Sequence, residues 1–204
     1  MKTFWRRVNA LTLPPRLLLA VLPSLLLHLV VWLTDWSLSC FFSEAWYCIY
    51  YFHLPFMDLL FAVLVLLPFL PPGRWWIVRA GLLIVLSVTV HSLAVGSVVN
   101  FRGDLFIPGI DSIFVNIFPV AIVASIVIST GAAWLCRRRI RAQLWWLCAA
   151  AGSLVGVVFL LTDITDYYPT CVVMEFLANP WWVWHLGVCA ALYLGSEAES
   201  AEEA

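Results

Sequence analysis

Six stretches of this chain are long and apolar enough to cross a lipid bilayer. They run roughly over Leu17–Thr34, Tyr51–Leu70, Ala80–Phe101, Ser112–Cys136, Gln143–Thr162 and Phe176–Ser196. A transmembrane helix needs about 20 mostly apolar residues, and lipid offers the backbone no hydrogen-bond partners, so a spanning segment must satisfy its own. With 64% hydrophobic and 11% charged residues among 204, the chain is too apolar for an ordinary soluble domain. The pattern predicts an all-α, polytopic integral membrane helix bundle. It forms one six-helix domain over residues 1–196, followed by an acidic tail over 197–204. A net charge of −1 provides no basic field to attract nucleic acid, so the expected partners are membrane lipids and, among proteins, an unidentified one.

Positive charge sets the direction of the spans. Lys2, Arg6, Arg7 and Arg16 precede the first; Arg74 and Arg79 lie between the second and third; Arg137, Arg138, Arg139 and Arg141 lie between the fourth and fifth. Of the eleven basic residues only Arg102 falls on the other side. The positive-inside rule makes the basic side cytoplasmic, which puts both termini inside, with a bacterial inner membrane as the expected location. The opening Met1–Arg7 followed by an apolar run resembles a signal peptide. However, the run from Leu17 to Leu33 is too long and no small-residue cleavage site follows before Asp35, so it reads as a retained helix. Many of the twelve tryptophans, including Trp32, Trp36, Trp75, Trp76, Trp134, Trp145, Trp146, Trp181, Trp182 and Trp184, cluster near the span ends as interfacial belts. The outer acids Asp35, Glu44, Asp104, Asp111, Asp163, Asp166 and Glu175 read as ordinary loop residues.

All four histidines, His28, His53, His91 and His185, fall in the non-cytoplasmic half. Imidazole is costly in lipid unless it meets a cavity, a partner or a metal, so intramembrane ionisable groups mark candidate sites. Asp58 is the most demanding residue, because a carboxylate at that depth costs several kcal/mol unless paired, protonated or hydrated. His53 and Asp58 are five residues apart, about 140° round the helix, and so face different neighbours. The expectation is that His91 and His185 share one site with at least one of His28, His53 and Asp58. Histidines and a carboxylate suit zinc with an open water position; two facing histidines also suit a b-type haem. Helix-to-helix hydrogen bonding explains the same residues with no cofactor. Cys40 and Cys48 lie in the first outer loop and Cys171 in the last, and a Cys40–Cys48 disulfide fits an oxidising outer side. Cys136, Cys148 and Cys189 read as small apolar packing residues.

Two stretches resemble the alkaline ceramidase group of seven-helix membrane metal-hydrolases. One is Ser87-Val-Thr-Val-His91; the other, from Phe159 to Gly195, carries Asp163, then Cys171, then the Trp- and His-rich start of the last helix. The resemblance implies that Ser87 polarises the substrate or its oxyanion and that His91 and His185 bind zinc. It implies that Asp58 or Asp104 positions the metal water, with an amide in a lipid as the bond attacked. That family has two histidines four apart in its final helix, whereas Trp181 stands four before His185, so His28 or His53 would supply the third ligand.

Three functions stay open at this point. One is a membrane enzyme acting on a lipid or lipid-linked substrate. The second is a non-enzymatic assembly, immunity or transport protein, and the third is a b-type haem electron carrier.

Overall fold

The computed structural model describes residues 12–38, 58–100, 112–164 and 181–198. They are mostly helical. Six helices are found there: α1 (Leu13–Leu38), α2 (Asp58–Phe69), α3 (Trp76–Asn100), α4 (Ser112–Leu135), α5 (Ala142–Ile164) and α6 (Trp181–Gly195). Each overlaps one of the six apolar stretches of the sequence. Two of them contain segments long and apolar enough to cross a membrane, Trp76–Ala94 in α3 and Ile117–Leu135 in α4, both of 19 residues. The other four contain shorter apolar segments. Large apolar side chains such as Ile77, Val85, Leu93, Val123 and Leu154 stay exposed on the outside, an arrangement that water would penalise and lipid would not.

α6 lies at the centre, packed against α1, α4 and α5, while α2 lies between α1 and α3. The α4–α5–α6 contact depends on missing side chains. A Cβ on Gly152 would sit 2.5 Å from the Ile122 backbone, and one on Gly156 would sit 2.6 Å from the Phe118 ring. Gly187 abuts Ala151 in the same way, joining α6 to α5. Gly152 and Gly156 are four apart on one face of α5, the small-xxx-small spacing that lets membrane helices approach closely. That spacing is visible in the sequence.

α2 is not a regular α-helix. After its first turn it widens into a π segment over Ala62–Leu66 and then tightens into a 3-10 turn over Leu67–Phe69. Pro68 explains this, since its ring has no N–H and collides with the carbonyl four residues back. The ladder therefore shifts register: the Leu67 N–H reaches back to the Ala62 carbonyl, and the Leu70 N–H bonds the Leu67 carbonyl at 2.9 Å.

One element departs from the all-helical expectation. Arg137, with φ 52°, ends α4 in the left-handed region. The chain then forms β1 (Arg138–Ile140), antiparallel to β2 (Ser196–Ala198), with Arg139 opposite Glu197. The start of the acidic tail is thus drawn into a two-strand sheet, and Arg141 pairs with Glu197. The backbone groups of a short turn and a chain end satisfy each other at the end of the bundle, which helical periodicity cannot reveal. The pairing also brings the α4–α5 connection and the end of α6 to the same end. Arg16, at the start of α1, joins them beside Tyr193 and Phe69.

Candidate functional site

α3 buries one face, Ala80, Leu83, Ser87 and His91, spaced three and four residues apart as a helix requires. The last two are polar. His91 is 1% exposed, and its Nδ1 forms an ion pair with Oδ1 of Asp58, which is itself fully buried at the start of α2. One turn earlier on α3, the Ser87 hydroxyl donates to the backbone carbonyl of Asp58 at 3.3 Å. The i, i+4 pair Ser87 and His91 therefore grips both the side chain and the main chain of one aspartate.

His185 comes to the same region from α6. It is fully buried, and its Nδ1 shares a 2.8 Å hydrogen bond with the Ser24 hydroxyl on α1. The Phe61 ring, one turn after Asp58, stacks on the imidazole with centroids 4.3 Å apart and planes 15° from parallel. Trp184 separates the two histidines. Its indole lies 5.5 Å from His91, edge-on, and 5.6 Å from His185. The indole N–H donates to Ser125 on α4 at 3.0 Å, and that hydroxyl donates to the Ala121 carbonyl at 2.7 Å.

Five helices thus meet at one polar cluster inside an apolar bundle. At 1.5 Å per residue, Ser24 lies about 12 Å along α1 from Arg16, and His185 about 15 Å along α6 from Gly195. Asp58 is about 16 Å from Phe69 by the same measure. The cluster therefore sits in a layer well away from the basic end.

The arrangement leaves two polar atoms unmet. Among the described residues, Asp58 Oδ2 and His185 Nε2 are buried and have no hydrogen-bond partner. Burying such an atom unsatisfied costs about 1–3 kcal/mol, more where it is charged.

Of the residues singled out from the sequence, Asp58, Ser87 and His91 contact one another, and His185 reaches the same region from α6 with Trp184 against both histidines. The side chain of His28 on α1, all of His53 and Asp104, and the cysteines Cys40, Cys48 and Cys171 lie outside the described residues. Position 28 follows Ser24 by four residues, one turn along α1. Cys136, Cys148 and Cys189 are buried free thiols, as expected of packing residues. Among the described residues, no group of three histidine, cysteine, aspartate or glutamate side chains is placed to hold a metal ion. A catalytic zinc takes three protein ligands, and the two described histidines alone do not make such a set.

Sequence reasoning missed Ser24, Phe61 and Ser125, and misplaced Trp184. Trp184 was grouped with the interfacial belt, but it is 3% exposed and belongs to the site. Trp75, Trp134, Trp145 and Trp146 do lie on the outside near the basic end. The signal for Ser24 was its spacing: a hydroxyl within an apolar run, one turn before a histidine. No family model, curated protein or solved structure matches this chain.

Proposed function

We propose that this chain is an integral membrane protein of six transmembrane helices, with its basic end and both termini at the cytoplasmic face. In this reading Asp58, His91 and His185 form an acid–base centre in the opposite half of the bilayer. The substrate is a lipid or lipid-linked molecule and the reaction is hydrolysis. The observation that carries the proposal is the buried Asp58–His91 pair beside the unsatisfied Asp58 Oδ2 and His185 Nε2.

A carboxylate on Nδ1 leaves the lone pair on the imidazole's Nε2 and stabilises the imidazolium that forms when a proton arrives there. His91 then serves as general base toward a water, with Asp58 orienting it. Ser87, bonded to the Asp58 main chain, positions this pair. His185, held by Ser24 and Phe61, supplies a second imidazole with Nε2 directed at the reacting molecule. Lipid substrates reach such a centre laterally, between helices.

A second reading has its own support. Asp58–His91 and Ser24–His185 each join two different helices, as interhelical polar contacts do in membrane bundles with no chemistry at all. One experiment separates the two. Purified protein in nanodiscs is incubated with total bacterial lipid extract, and lipids are profiled by mass spectrometry beside His91→Gln, with zinc and haem measured on the same samples. Loss of one lipid class with wild type but not the variant supports the centre. Identical lipid profiles from both proteins would leave the cluster as helix-joining structure, and a Soret band would assign it to haem.

A further inference from the structure

The buried serines of this bundle do not all use their hydroxyls alike. Ser125 and Ser196 donate to the carbonyl four residues back, Ala121 at 2.7 Å and Leu192 at 2.5 Å, a common bond for a serine in a helix. Ser87 donates to the Asp58 carbonyl at 3.3 Å. Ser24 departs from this pattern. It lies in α1 directly after Pro23, is 1% exposed, and its hydroxyl meets an imidazole on another helix, Nδ1 of His185 at 2.8 Å.

An activated nucleophile needs its base within about 2.6–3.2 Å, with that base oriented by a further group. Phe61 orients His185: stacked on the imidazole 4.3 Å away and 15° from parallel, it blocks the ring from flipping about Cβ–Cγ and turning Nδ1 away from Ser24. Nε2 has no hydrogen-bond partner among the described residues, so none of them competes with Ser24 for the ring. With the ring hydrogen on Nε2, Nδ1 accepts from the Ser24 hydroxyl. α2, the wall beside this pair, is the irregular helix, and its π segment begins directly after Phe61. Such segments recur at functional sites. On the other side the next residues of α1, Leu25 and Leu26, are exposed, which brings surrounding acyl chains within a helix's width of the hydroxyl.

We propose that Ser24 is a catalytic nucleophile, with His185 as its base, and that the centre cleaves a lipid ester through a covalent acyl-Ser24 intermediate. This rests on the reading of the cluster as a lipid-hydrolysing centre and names the attacking atom. Ser24 Oγ bonds to the ester carbonyl carbon as its hydrogen passes to His185 Nδ1. The bond from that carbon to the lipid alcohol then breaks, and the departing oxygen takes the proton from Nδ1, leaving acyl-Ser24 and a neutral imidazole. Water attacks the acyl carbon and gives one hydrogen, by way of an imidazole of the centre, to Ser24 Oγ as that bond breaks. The fatty acid and the free serine result.

The test uses a long-chain alkyl fluorophosphonate, which phosphonylates activated serines with loss of fluoride. It is added to the full chain in nanodiscs, and adducts are followed by intact mass and peptide mapping. Wild type should take one adduct, on Ser24. Ser24→Ala should take none, and Ser129→Ala, which removes another buried hydroxyl from α4, should label like wild type. His185→Gln should label at least about 100-fold more slowly, the low end of what a positioned base contributes. Wild type unfolded by heat before the probe is added should also fail to label, because a serine without its base is a weak nucleophile; this comparison serves if the glutamine variant does not assemble. No adduct on Ser24 in folded wild type, or labelling of His185→Gln or of the heated protein as fast as folded wild type, would overturn the proposal. Lipid loss that continues unchanged in Ser24→Ala would also overturn it, leaving hydrolysis to a water activated by His91. A His185-dependent adduct on Ser24 with no lipid consumed would uphold the nucleophile and reject the lipid-hydrolase reading.

Discussion

Asp58 and His91 have the least freedom to change. Each is buried, and each is the other's charge partner, so removing one strands the other. Breaking a buried pair from one side costs about 3–5 kcal/mol, whereas replacing both partners with apolar groups can be close to neutral. Asp58→Leu and His91→Leu should therefore each lower the thermal midpoint in detergent markedly, and the double variant should recover much of the loss. Fluorescence-detected size exclusion after heating measures all three. Additive losses in the double variant would mean that the two side chains do not act as a pair. The pairing itself was partly legible in the sequence, because Asp58 and His91 are ionisable residues in apolar stretches and need partners. That His91 would be the partner, rather than His53 five residues from Asp58, was not. Sequence separation along one helix shows which faces residues occupy, but not which neighbouring helix each face meets.

Among the elements, α5 and α3 respond oppositely to the same substitution. Gly152 lies against the backbone of α4, so Gly152→Ala has no flexible side chain to displace, and overpacking of this kind costs about 1–3 kcal/mol. Gly81, on the exposed face of α3, has nothing within 4 Å of the added methyl. Gly81→Ala should leave stability unchanged or raise it by about 0.5–1 kcal/mol, the usual helix-interior difference between the two residues. Thermal unfolding of both variants checks the contrast, and equal behaviour would show that α4 and α5 do not approach as closely as described. The irregular α2 was half legible. Pro68 announces a disturbed helix, and the apolar run announces its presence. Whether the helix kinks, frays or widens into a π turn depends on what packs around it, here α1 and α3, and no local pattern encodes that.

At the scale of the molecule, the structure gathers Arg16, Arg138, Arg141 and the start of the acidic tail at one end. The topology proposed above has both termini on the cytoplasmic side. A C-terminal green-fluorescent fusion should be bright and an alkaline phosphatase fusion at the same point inactive; the reverse pair of results would reject the orientation. Composition and the spacing of charges were enough, without coordinates, to indicate a mostly helical chain with segments able to cross a membrane, of which the structure has two, because lipid imposes its rules on every residue separately. The convergence of Ser24, Asp58, His91, Trp184 and His185 was decided only by tertiary packing. Each of those contacts joins residues from different helices, and which helices become neighbours depends on the glycine faces, the proline-distorted turn and the short β1–β2 pairing acting together.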